Sequence, residues 1–384
     1  MRKLLGFLGA LSLTATSTIT VVACTPTQGK INTNFDLSIG IHIDKSKAQD
    51  TSSDKNEHLG VSNFFTLGDS LSDQNGITTL LKNKLGVNLQ MAGEYKNGFS
   101  NGPTTAAIIN EKLKFTTEEF SAANIVQEDA PISKGDKNVW GKNYSVGGAT
   151  AMTQTGVAGM IINDSRIDLQ AEALVKQQVI HDDDMVLFEI GGNDLFALID
   201  NAINDPSMQV SILNEAMANI KNSIFTLLNN GVKKLAILTP PNLEFVPKYN
   251  ETTDEDKMEF IQRIGKEFNE KMLNVINEAK QYYENNIYVY GLYENFESIL
   301  DGFKEEVGTG ANITDKSTTP VGSWESDLIQ GKSEIKMEVQ AIKGVDMDKY
   351  FFTDEVHPTK VGHEYFANLF FEELKSKFNL LGDE

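Results

Sequence analysis

The chain has 384 residues, with 54 Asp and Glu against 34 Lys and Arg and a formal charge of −20. So acidic a surface argues against nucleic acid as a partner and against electrostatic attraction to anionic lipid. Its single cysteine, Cys24, leaves no intrachain disulfide to brace the fold.

The first segment reads MRKLLGFLGALSLTATSTITVVAC. Arg2 and Lys3 precede a run of apolar and small residues that stops at Val21-Val22-Ala23-Cys24. That is the order of a secretory signal, and the run is too short and too rich in Ser and Thr to span a membrane. VVAC resembles a bacterial lipobox, whose cysteine is lipidated and becomes the new N-terminus; a plain signal with a chance cysteine is the other reading. Residues 1–23 are expected to be a lipoprotein signal peptide. A diacylated Cys24 would hold the protein on the extracellular face of the bacterial cell membrane, since two acyl chains anchor where one is marginal. Arg is confined to Arg2, Arg166 and Arg263 while Lys and Asn abound, and the leader resembles those of mollicute lipoproteins. Residues 24–60 are polar and mixed in charge, which predicts a tether.

From residue 61 onward, to 384, the pattern is that of one α/β domain. Val61–Leu67 predicts a first strand, and Met185–Ile190, Leu235–Leu238 and Ile287–Tyr290 predict buried strands bounded by turn residues. Pro206, after Asp205, opens a helix in which Val210, Leu213, Met217, Ile220, Ile224 and Leu227 recur at helical steps before Gly231. A second long helix is expected from about Asp254 to Tyr283, and a last one after Pro358. Strand–helix alternation of this kind implies a mostly parallel sheet covered on both faces, a three-layer α/β/α sandwich. Ligands of such sheets bind beyond the carboxyl ends of the strands. Residues 305–345 break the pattern and are expected to form an insertion near the active-site rim.

Four segments carry candidate chemistry. Gly68-Asp69-Ser70 follows the first strand directly, which brings a serine hydroxyl to the carboxyl edge of the sheet with backbone N–H groups free to face negative charge. On its own this is equally a turn with a helix cap. Asn143-Tyr144-Ser145-Val146-Gly147-Gly148 ends in a glycine pair that lets backbone approach a ligand. Gly191-Gly192-Asn193-Asp194 puts an amide side chain just past a buried strand. Asp354-Glu355-Val356-His357-Pro358 sets a carboxylate three residues before a histidine, close enough to hold its ring. Each is weak alone; their joint occurrence beside expected strand ends is the signal.

These four blocks resemble those of GDSL-type esterases and lipases of the SGNH hydrolase superfamily. Gly98-Phe99-Ser100-Asn101-Gly102-Pro103 and the KVGHEYFANLFF stretch are similar to the lecithinase/haemolysin-like branch, though Gly98 stands where that branch commonly has Arg and its cysteines are missing. The resemblance covers about residues 61–378. It implies an ester hydrolase in which Ser70 attacks the carbonyl, His357 acts as general base and Asp354 orients it. It also implies an oxyanion hole formed by the Ser70 and Gly148 N–H groups and the Asn193 amide. Neither a metal nor a cofactor is implied, and the expected substrate is an ester or lipid.

Other features are set aside. Gly98-Phe99-Ser100-Asn101-Gly102 fits the G-x-S-x-G nucleophile elbow, but the polar residues before it are no buried strand. Pro103 is expected to start a helix instead. His42 and His58 fall in the expected tether, His181 heads an acidic run, and His363 has too few partners for a metal site. Asp69, Asp73 and Glu189 are expected to support the site, Asp194 to cap the next turn, and Phe64, Phe65, Phe351 and Phe352 to be core. Acyl transfer to an alcohol and deacetylation of a glycan would use the same residues. A binding protein on an inactive scaffold would have lost one of them, and none is missing.

Overall fold

The computed structural model describes residues 36–123, 125–126, 132–134, 137–321 and 331–381. The leader and Cys24 lie outside the described residues.

Four short strands, β1 (Phe64–Leu67), β5 (Met185–Glu189), β6 (Lys234–Leu238) and β7 (Ile287–Tyr290), form a wholly parallel sheet in the order β1-β5-β6-β7. Between the first two fall β2 (Asn88–Ala92) and the hairpin strands β3 (Ile132–Lys134) and β4 (Lys137–Val139). Every residue of β1 and β5 is buried, because helices cover both faces of the sheet. A bridge from Thr66 to Asn143 brings the glycine-pair segment alongside the outer edge of β1.

Among the described residues the α-helices are α1 (Gly76–Leu85), α2 (Thr105–Lys112), α3 (Gly156–Ile162), α4 (Ile167–Gln177), α5 (Gly192–Asn201), α6 (Pro206–Asn229), α7 (Glu255–Tyr283), α8 (Leu292–Val307) and α9 (Lys360–Phe378). Helices α4 to α7 pack against one another, while α9 packs on α2, α8 and β7, giving the α/β/α layering that the alternating pattern implied. The two long helices begin where the sequence placed them. Asp205 accepts from the N–H groups of Ser207 and Met208 with Pro206 next to it, and Asp254 accepts from Lys257. Such a cap contributes about 1 kcal/mol.

Two regions carry more order than their composition suggested. The polar stretch expected to run as a tether to residue 60 lies on the body from Asp36 onward. Asp36 is buried and pairs with Lys221 at 2.9 Å, and the Asn229 amide donates to the carbonyls of Asp36 and Ile39. Gln49 donates to the Gln177 carbonyl, Thr51 to Gln178, and Leu59 is part of the core. Polar side chains that bond locally can order a segment whose apolar content is low, and Asp, Asn, Ser and Thr do so here.

The expected insertion is likewise built of strands: β8 (Asn312–Lys316), β9 (Thr318–Val321) and β10 (Glu334–Ala341). β10 pairs antiparallel with β9 and parallel with β2, while β8 pairs parallel with β11 (Tyr350–Phe352). Ser317, between β8 and β9, donates to the Phe352 and Thr353 carbonyls, and Thr318 donates to Thr353 through both its N–H and its hydroxyl. The insertion therefore anchors the chain one residue before Asp354.

Candidate active site

The apolar run of β1 ends at Gly68, whose N–H donates to Gln170 Oε1 and whose carbonyl accepts from Gln170 Nε2, both at 2.8 Å. A Cβ at Gly68 would stand 2.6 Å from side-chain atoms of Glu189, so no larger residue fits. With the backbone pinned there, Asp69 and Ser70 emerge at the carboxyl end of the strand. The Ser72 and Asp73 N–H groups fold back onto the Asp69 carbonyl. Ser70 is buried.

The histidine comes from the loop after β11. Thr353 donates to the His357 carbonyl at 2.8 Å, closing a tight turn. Asp354 Oδ1 accepts the N–H groups of Val356 and His357, each at 2.8 Å, and this leaves Oδ2 for the ring. His357 Nδ1 lies 2.7 Å from Asp354 Oδ2, and its Nε2 lies 2.7 Å from Ser70 Oγ. A carboxylate only accepts, so Nδ1 carries the proton and the Nε2 lone pair faces the serine hydroxyl. The Phe99 ring lies against the imidazole, centroids 5.1 Å apart and tilted by 31°. Phe99 also abuts Gly147, where any Cβ would stand 2.3 Å from the ring.

The third wall is the glycine pair, with Gly148 at φ +81°, in the left-handed region that favours glycine. Asp73 holds this loop to the loop that carries Ser70. Its carboxylate accepts from Gly76 and Ile77 at the start of α1 and from Gly147 across the site. Asp194 does the same from the other side. Rather than capping its own turn, it accepts from Ala151 and Met152, which fixes the far end of the glycine loop to α5. Asn193 points its Nδ2 at the Ala149 carbonyl, 3.0 Å away, and toward Asp69 Oδ2 at 3.4 Å. The N–H groups of Ser70 and Gly148 have no acceptor among the described residues.

Burial shapes the charge around the site. It pushes Asp69 and Asp194 up to about 6 and Asp73 up to about 7, although N–H donors oppose the rise at each. Glu189 is raised well above the carboxylate range by burial and by Asp69 beside it. Glu94 is pushed up to about 9 by burial and by the nearby charge of Asp354. Asp354 goes the other way. Burial alone would raise it, but the charge and hydrogen bond of His357 and the two N–H groups hold it below the ordinary value. Asp354, the carboxyl facing the imidazole, is thus the one among these held below its ordinary value, while burial disfavours the charged form of its acidic neighbours.

The GDSL-like lipase/acylhydrolase family model matches residues 64–370. The chain belongs to that family. No curated protein matches it in sequence. As a GDSL-like hydrolase it has Ser70, Asp354 and His357 in one hydrogen-bonded line, with Gly148 and Asn193 on the neighbouring loops. Ser100 stands apart: it is buried, and its hydroxyl finds no partner among the described residues. His363 is also buried, with Nδ1 accepting from the Thr105 N–H at 3.1 Å, while burial and His357 lower it to about 3. His58 stacks on Phe115 at 4.0 Å between centroids, against its placement in a free tether. Among the described residues no group of three or more His, Cys, Asp and Glu is arranged to hold a metal ion. Sequence reasoning missed Gln170, Phe99 as a wall of the imidazole, and the Ser317–Thr318 clamp. No local pattern marks them, because each acts on a segment far away in the chain.

Proposed function

We propose that this GDSL-like hydrolase is a carboxylic ester hydrolase of the lipase/esterase type, exported and lipid-anchored, working through an acyl-enzyme on Ser70. The observation that carries the reading is the unbroken line from Asp354 Oδ2 through His357 to Ser70 Oγ, two contacts of 2.7 Å each. As Ser70 Oγ attacks the ester carbonyl, its proton passes to His357 Nε2, and Asp354 stabilises the imidazolium. The carbonyl oxygen, now negative, faces the Ser70 and Gly148 N–H groups and the Asn193 amide, which must turn one hydrogen from Ala149 toward it. His357 then protonates the leaving alcohol. Water, activated by the same nitrogen, attacks the acyl-enzyme and restores Ser70.

For location, the support is the leader ending in VVAC; among the described residues no helix is long and apolar enough to cross a membrane. An acyl anchor on Cys24 would place the site at a lipid surface.

A fluorophosphonate probe tests the nucleophile. Labelling and hydrolysis of p-nitrophenyl acetate should both vanish in Ser70→Ala while the thermal midpoint stays near that of the wild type. Label lost in Ser100→Ala but retained in Ser70→Ala would refute the assignment. Metabolic labelling with a fatty acid, abolished by Cys24→Ala, tests the anchor.

A further inference from the structure

A cavity of about 50 Å³ lies between the sheet and helices α8 and α9. Leu187 and Leu238 form its wall on the sheet side, Phe296 and Ile299 come from α8, and Phe366 from α9. Phe351 and Phe352, expected from the sequence to be core, are core and cavity wall at once. Four lining residues are only half-buried: Leu71, Pro241, Val356 and Pro358. All four belong to loops at the carboxyl edge of the strands, where the cavity comes nearest the surface. Leu71 follows Ser70 directly, and Val356 and Pro358 flank His357.

The lumen is mostly apolar, with the hydroxyl residues Ser72 and Thr105 in its wall. Its two titratable wall groups are Glu189 and His363, both more than nine-tenths buried. Burial raises the first and lowers the second, disfavouring the charged form of each. Glu189 Oε1 has no hydrogen-bond partner among the described residues. An ionised occupant would lose its hydration to a mostly apolar wall, whereas an alkyl chain leaves water at no such cost. The volume bounds the chain. An apolar cavity of about 150 Å³ accepts a six-carbon ring, so one-third of that space suits about two carbons within it.

We propose that this cavity seats the acyl chain of the ester and selects short, unbranched, uncharged acyl groups of about two to four carbons. The proposal rests on the reading of Ser70 as nucleophile: Ser70 and His357 do not themselves line the cavity, but their chain neighbours Leu71, Ser72, Val356 and Pro358 do. Longer chains meet the floor formed by Ile299 and Phe366.

The test is a chain-length series of p-nitrophenyl acetate, butyrate and octanoate, run on the wild type, Ile299→Phe and Ile299→Ala. Wild type should prefer acetate and butyrate over octanoate by at least about tenfold in kcat/KM, since each methylene in a fitted pocket changes the rate by about tenfold or more. Ile299→Phe should lower the butyrate-to-acetate ratio about tenfold, and Ile299→Ala should raise the octanoate-to-butyrate ratio by a similar factor. A wild type that favours octanoate, or ratios that stay put in both variants, overturns the proposal. A wild type that is neither labelled at Ser70 nor active on any ester sinks the hydrolase reading instead. The cavity is then decided by methyl NMR of Ser70→Ala with butyramide: a shift of the Ile299 methyl supports the site, and no shift overturns it.

Discussion

Asp73→Asn tests how the catalytic loops are held in register. Asp73 is wholly buried, with Oδ1 accepting from Gly76 and Oδ2 from Ile77 and Gly147. An asparagine keeps one acceptor oxygen. Placed at the Oδ2 position it retains two of the bonds but turns its NH₂ against the Gly76 N–H, leaving a buried donor facing a donor. That loss costs about 1–3 kcal/mol, and the two remaining bonds weaken when the acceptor is neutral. Removing a carboxyl that burial disfavours offsets part of this, so the net expectation is about 2 kcal/mol of destabilisation. The bond to Gly147 also orients Gly148, so kcat should fall about tenfold, equivalent to about 1.4 kcal/mol of lost transition-state stabilisation. KM should move little, because no proposed substrate contact is touched. Urea unfolding and steady-state kinetics with p-nitrophenyl acetate, on the same preparation, check both parts. A variant with unchanged midpoint and unchanged kcat would show that the carboxylate braces neither loop.

Asn193→Ala should lower kcat by about 10²–10³ with a smaller change in KM, the signature of a donor aimed at charge present only in the transition state; a normal kcat with raised KM would make it a ground-state contact. The pH dependence of stability has a definite sign. Asp69, Asp73 and Asp194 are raised from 3.8 to about 6, 7 and 6, so the folded chain binds more protons than the unfolded one. Their contribution is full below about pH 4 and is lost as pH rises through 6 and 7, so the urea midpoint should fall between about pH 5 and pH 8. A midpoint that climbs over that range refutes the raised values. Deleting residues 36–60 should lower the thermal midpoint, since burial of Leu59 alone contributes about 1.5–3 kcal/mol and the Asp36–Lys221 pair is lost with it. An unchanged midpoint would return that segment to the role of a simple tether.

The central strands and the two long helices were legible in the sequence because their signals are local. β5 shows as an unbroken apolar run, and α6 and α7 show as helical periodicity behind Asp205-Pro206 and Asp254. The candidate site was legible for a related reason: Ser70 and Asn193 follow β1 and β5, whose carboxyl ends a parallel sheet collects at one edge, and Asp354 and His357 lie three residues apart just after β11, which belongs to a separate two-stranded sheet. Two of the four strand ends already stated their chemistry in three or four adjacent residues. What the sequence could not supply is everything made by contact between distant segments. The Phe99 ring meets His357 from 258 positions away, and Gln170 grips Gly68 across 102. Asp194 bonds Ala151 and Met152 where local composition suggested only a cap. The stretches 36–60 and 305–345 looked featureless because polar segments reveal no periodicity. The order of their described residues comes from hydrogen bonds to the body, and such bonds exist only once the body has folded. The cavity beneath the catalytic edge is of the same kind. Its walls read as ordinary core, and only packing determines where core side chains fail to meet.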